Sequence, residues 1–149
     1  MYAIEGVGAT ALGGLAWYLL FFPSLKLFTQ LGYDLETSFW YAMEASHDIG
    51  MTVGAGVGTA SMGRIFGHNG SFKGALIGSA LGTGAGALLP RLVPPTLRDN
   101  LLFIGVCTVG APVVGAVIGY DYKAGVKSIS KTVDGLVGAC LVLRLFLLF

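Results

Sequence analysis

The chain has 149 residues, of which 54% are hydrophobic and only 11% charged, with 24 glycines and a formal net charge of +1. Soluble domains carry roughly 25% charged residues, and a chain this short hides only about two-thirds of its surface from water. The composition therefore does not fit a water-soluble domain and points to a lipid-embedded one. Nine Lys/Arg nearly cancel eight Asp/Glu, without the one-sided basic patch that nucleic-acid binding needs.

The N-terminal stretch, Met1 to Gly6, contains Glu5 and no Lys or Arg. It lacks the basic character of a cleavable signal or an Arg-rich transit peptide, so an uncleaved first segment is expected. Five apolar segments follow, at about 6–22, 39–63, 74–89, 101–119 and 135–149, within a single transmembrane domain spanning 1–149. Pro23 and Pro90 are expected to close the first and third. The fifth contains Arg144, which can snorkel to a headgroup from near the chain end. The segments are continuously apolar and do not alternate, which favours spanning helices over barrel strands. The expected fold class is all-α: a polytopic integral membrane bundle of four or five glycine-zipper transmembrane helices.

The glycines recur every fourth residue, which keeps them on one helix face. The second segment has Gly50, Gly54 and Gly58. The third has Gly74, Gly78, Gly82 and Gly86. The fourth has Ala111, Gly115 and Gly119, and the first has Gly6, Thr10 and Gly14. Faces without side chains let helix backbones approach closely, which is the main source of helix association in lipid. Asn69-Gly70 is a turn signal, and predicts a hairpin in which the glycine faces of the second and third segments meet. Pro94-Pro95 breaks the chain before the fourth segment, and Pro112 should kink that segment. Beyond it, Lys123, Lys127 and Lys131 share one helical face, with Val126, Ile129 and Val133 on the other. This pattern predicts an interfacial helix at 121–134 with its lysines toward anionic lipid headgroups, or else a solvated basic loop. Counting basic loop residues favours an N-terminus on the inner side of the membrane.

Glu44, His47 and Asp48 are the sharpest polar constellation, because residues three and four apart meet on a helix surface. A proton-handling or polar site is the functional reading. An amphipathic stretch over Ser38–Asp48, lying on the membrane surface or against a partner protein until the chain enters the bilayer near Ile49, is the structural one. Glu-x-x-His is half of a di-iron motif, but the second half is missing, so neither a metal nor a cofactor is expected. Gly6-Val7-Gly8-Ala9-Thr10-Ala11 follows no strand, as a dinucleotide fingerprint would require. Cys107 and Cys140 form no CxxC pair and read as small buried residues. No nucleophile, base and orienting group come together in the pattern, so no enzymatic activity is expected.

The run Gly78-Ser79-Ala80-Leu81-Gly82-Thr83-Gly84-Ala85, ending at Arg91, together with the stretch back to Arg64, resembles the mitochondrial inner-membrane translocase family. That family includes a small accessory subunit of respiratory complex I. The resemblance covers about a fifth of the chain and implies a four-helix glycine-zipper fold in the mitochondrial inner membrane. Gly110–Tyr122 is also similar to the ends of bacterial glycine-zipper membrane proteins, which implies a bacterial membrane as the other setting. With no soluble domain, the chain reads as a non-catalytic accessory subunit of a larger membrane complex, with other membrane subunits and anionic lipids as partners. A pore or protein-translocation component is the alternative reading, with Thr52, Thr59 and Ser61 adding to a polar face. A small ion- or proton-coupled transporter is a further one. Neither nucleic acid nor a small-molecule substrate is expected.

Overall fold

The computed structural model describes residues 2–98 and 100–122. The expected fifth segment, Lys123, Lys127 and Lys131, and all but the first two residues of the expected interfacial helix lie outside the described residues. The described chain is helical almost throughout, with no strand. It comprises α1 (Tyr2–Gln30), α2 (Leu35–Ile65), α3 (Phe72–Leu92), the four-residue α4 (Pro95–Arg98), α5 (Leu101–Gly105) and α6 (Ala111–Asp121). A π-helical turn, Val106–Gly110, joins α5 to α6, so that Leu101–Asp121 runs as one long helix. Among the described residues, three helices are long and apolar enough to cross a membrane: Tyr2–Gln30, Phe72–Leu92 and Leu101–Asp121.

Both long hairpin turns are built by glycine. At the end of α1, Gly32 takes a φ of +91°. Its N–H bonds Thr29 O, and Tyr33 N–H reaches back to Phe28 O. This pair of bonds is the Schellman stop, and the Phe28 and Tyr33 rings close over it with centroids 6.2 Å apart. α2 ends the same way: Gly67 has a φ of +75°, its N–H bonds Arg64 O, and His68 N–H bonds Gly63 O at 2.7 Å. The reversal expected at Asn69-Gly70 is thus made at Gly67. Asp34 starts α2 by accepting from the Thr37 N–H and hydroxyl, both at 2.8 Å. Those bonds hold the exposed Asp34 carboxyl below its ordinary pKa. Ser71 caps α3 through Gly74 N–H.

The register of close approaches shows how the helices pair. Gly50 lies against Trp17, Gly54 against Leu12 and Gly13, and Gly58 against Gly8, so α1 and α2 are antiparallel. Gly74 lies against Gly119, Gly78 against Gly115, Gly82 against Ala111 and Gly86 against Cys107, so α3 and the Leu101–Asp121 helix are antiparallel as well. The expected contact between the glycine faces of α2 and α3 is therefore corrected. Those stripes serve the α1–α2 and α3–α6 pairs. α2 meets α3 on another face, through Gly56 against Leu76, Thr52 Oγ1 and Thr83 Oγ1 at 3.0 Å, and Ser79 donating to Met51 O at 3.2 Å. Gly56 is two residues from Gly54 and so sits on nearly the opposite side of the helix. α2 thus carries glycine toward both neighbours.

Other boundaries differ from expectation for identifiable reasons. α1 continues through Pro23. A proline removes one backbone hydrogen bond, but α2 supports the continuation through Phe21 against Phe39 and Phe28 against Tyr41. α3 likewise runs past Pro90 to Leu92. The α1 residues that approach α2 closely are Gly8 and Gly13, while Gly14 faces open space, so the expected Gly6, Thr10, Gly14 stripe is not the contact line. α2 is one helix over 31 residues. Ser38–Asp48 is part of the rod that runs along α1 and is not a separate segment. Pro112 is accommodated by the π-helical turn just before it. The ring would crowd the carbonyl four residues back, and a wider turn relieves that crowding.

The interior is small. Ala9, Met51, Ala55, Val113 and Ala116 pack where α1, α2 and α6 meet. Ala60, Ala75 and Tyr120 pack where α2, α3 and α6 meet.

Candidate functional site: a buried carboxylate–imidazole–carboxylate cluster

An up-and-down arrangement brings the start of α1, the α2–α3 turn and the end of α6 to one end of the bundle. Each contributes one ionisable side chain there. Glu5 lies in the first turn of α1 and is 1% exposed. His68 lies in the turn, and Asp121 is the last residue of α6, 5% exposed. His68 Nδ1 is 2.5 Å from Glu5 Oε1, and His68 Nε2 is 3.3 Å from Asp121 Oδ1. In its protonated form the imidazole donates to both carboxylates.

The position of His68 is over-determined. The Schellman bond fixes its N–H, and Tyr120 Oη donates to its carbonyl at 2.6 Å. The buried Tyr120 ring fits there because two glycines leave room. A methyl on Gly63 would come within 2.5 Å of Tyr120 Cε1, and one on Gly70 would overlap the same ring. Tyr120 O accepts from Ser71 N–H at 2.8 Å, which ties the end of α6 to the start of α3. The rings of Tyr2 and Tyr120 stand edge-on to the imidazole, with centroids 5.8 and 5.7 Å away. Glu5 Oε2 is buried without a hydrogen-bond partner. Two carboxylates around an imidazole can bind a proton or a divalent cation, and they can hold three chain segments together.

The sequence-derived polar set is distributed differently. His47 Nδ1 is 3.1 Å from Asp48 Oδ1, and the Trp17 ring stands edge-on to His47 at 5.4 Å. Glu44 is exposed and joins neither. His47 Nε2 is buried without a partner. Of the other polar residues singled out, Thr52 is bonded to Thr83, and Thr59 is fully buried with its hydroxyl unpartnered. The glycines singled out, Gly50, Gly54, Gly58, Gly74, Gly78, Gly82, Gly86, Gly115 and Gly119, all lie against backbone of a neighbouring helix.

Sequence reasoning did not join Glu5, His68 and Asp121, because they are far apart in the chain. One signal was available. All three are ionisable residues at the margins of apolar segments, where such groups are costly and rarely incidental. An alternating helix count puts those three margins at the same end.

The fold and the site define a helical chain with apolar helices long enough to cross a membrane, whose two buried carboxylates, Glu5 and Asp121, meet His68 at one end. No family model, no curated protein and no solved structure matches the sequence or the fold.

Proposed function

We propose that this chain is a non-catalytic structural subunit of a larger membrane assembly, crossing the bilayer four times within the described residues. The observation that carries the reading is the contrast between inside and outside. Within each hairpin the glycine-lined backbones touch, leaving no passage between the paired helices. Outside, large apolar side chains such as Leu15, Leu19, Phe22, Leu81, Leu88 and Leu101 are exposed. Exposed large apolar side chains in this number suit contact with lipid or partner helices. α2 is less apolar than the other three long helices, but its antiparallel pairing along α1 carries it across with its partner.

The resemblance to the translocase and accessory-subunit family directs the search first to mitochondrial inner-membrane assemblies, respiratory ones included. The test is native size in mild detergent, with co-migrating proteins identified by mass spectrometry. Co-migration with one large assembly is the expected result. Migration alone or as a small homo-oligomer would sink the subunit reading. It would favour a pore or translocation component using the hydroxyl-bearing α2–α3 face, where Thr52, Thr59, Ser79 and Thr83 lie.

A further inference from the structure

We propose that Glu5, His68 and Asp121 form a binding site for one divalent transition-metal ion, with zinc as its most suitable occupant, and that the ion clamps the two helix hairpins together. Each residue offers one ligand atom, and these atoms all lie within 4.8 Å of one another. A tetrahedral zinc ion takes nitrogen and oxygen ligands at about 2.0–2.2 Å, which separates neighbouring ligand atoms by about 3.4 Å. Binding therefore draws the three side chains closer together than their present separations of up to 4.8 Å.

Independent support comes from the unpartnered oxygen of Glu5. A carboxylate oxygen in a residue 1% exposed, with no hydrogen-bond donor, is costly to bury. Zinc bound by both Glu5 oxygens, one His68 ring nitrogen and one Asp121 oxygen would have four donors, and the orphan oxygen would be one of them. The donor chemistry also selects the ion. An imidazole between two carboxylates suits a borderline divalent metal, whereas magnesium and calcium favour all-oxygen shells. The surroundings have the features of a prepared site. The His68 backbone is held at both its N–H and its carbonyl, and the flanking Tyr2 and Tyr120 rings limit how far the imidazole can turn. Glu5 belongs to the first hairpin, Asp121 to the second, and His68 to the turn that connects them. An ion there joins all three at one end of the bundle.

The experiment is metal analysis of the affinity-purified full-length chain in mild detergent, together with whatever it retains, after zinc loading and removal of free metal by gel filtration. One zinc per chain is expected in the wild type. It should be lost in Glu5→Gln, His68→Asn and Asp121→Asn and kept in His47→Asn, which probes the other histidine. X-ray absorption at the zinc edge of the wild type covers the case in which a variant fails to accumulate. One nitrogen-ring ligand with oxygens at about 2.0–2.2 Å is expected. Wild type without retained zinc, zinc lost through His47→Asn in place of His68→Asn, or a shell of several imidazoles or of sulfur would each overturn the assignment.

Discussion

A methyl group on Gly78 would overlap the Gly115 carbonyl oxygen, while one on Gly84, in the same helix, would meet open space. This difference gives a matched pair of substitutions. Gly78→Leu should sharply lower the amount of folded protein recovered from membranes, because overpacking typically costs about 1–3 kcal/mol and a collision with backbone relaxes poorly. Gly84→Leu should leave the yield near wild type. Equal yields would mean that the close approach along α3 does not hold the bundle together. The α3 stripe could be read directly from the sequence because its four glycines keep an unbroken i+4 spacing, and its partner stripe on α6 reads the same way. The contact line on α1 could not. Gly8 and Gly13 are five residues apart, and their neighbours are Met62 and Met51, with Met51 Sδ only 2.9 Å from a methyl added at Gly13. A flexible thioether fills that irregular gap, and no residue count reveals it.

At the scale of elements, helix ends were harder to foresee than helix existence. Pro23, Pro90 and Pro112 all suggest breaks or kinks, yet α1 and α3 run through the first two, and before Pro112 the distortion takes the form of a π-helical turn. Packing from a neighbouring helix outweighs a local preference, and the sequence of one helix does not contain its neighbour. The α2–α3 connection was recognisable as a turn, but its pivot is Gly67 and not Asn69-Gly70. Gly70 is a glycine because Tyr120 occupies the space where its side chain would be. At Gly67 the φ of +75° makes a further expectation specific. Gly67→Ala should destabilise the protein by about 1–2 kcal/mol, the usual cost of a left-handed conformation in an L-residue, and Gly67→Asn should recover part of the loss. Thermal unfolding in detergent measures both. Indistinguishable midpoints for glycine and alanine would show that this turn is not held in the left-handed form.

At the scale of the whole molecule, the paired helices differ in length. α1 and α2 have 29 and 31 residues, whereas α3 has 21, as does the Leu101–Asp121 helix. At about 1.5 Å per residue the shorter pair matches a hydrocarbon core of about 30 Å, and the longer pair exceeds it by about 12 Å or more. The cluster end is the common origin, so the excess lies at the opposite end, with Tyr33, Trp40 and Tyr41 exposed near the aromatic-rich α1–α2 turn. Aromatic rings of this kind favour the membrane interface. Single cysteines at Gln30 and Thr96 should therefore react with an impermeant thiol reagent from one side of sealed vesicles, and a cysteine at Asn69 from the other. Labelling of Asn69 from the same side as Gln30 would show that α2 does not cross. The pairing of neighbours in the chain also has a consequence for biogenesis. Each close backbone contact joins long helices made one after the other, so the first hairpin can form while the second is still on the ribosome. Glu5 and His68 are then present early, but Asp121 arrives only when the fourth long helix is complete. The polar cluster is the last part of the described fold that can close, and its closure marks the point at which the two halves have found each other.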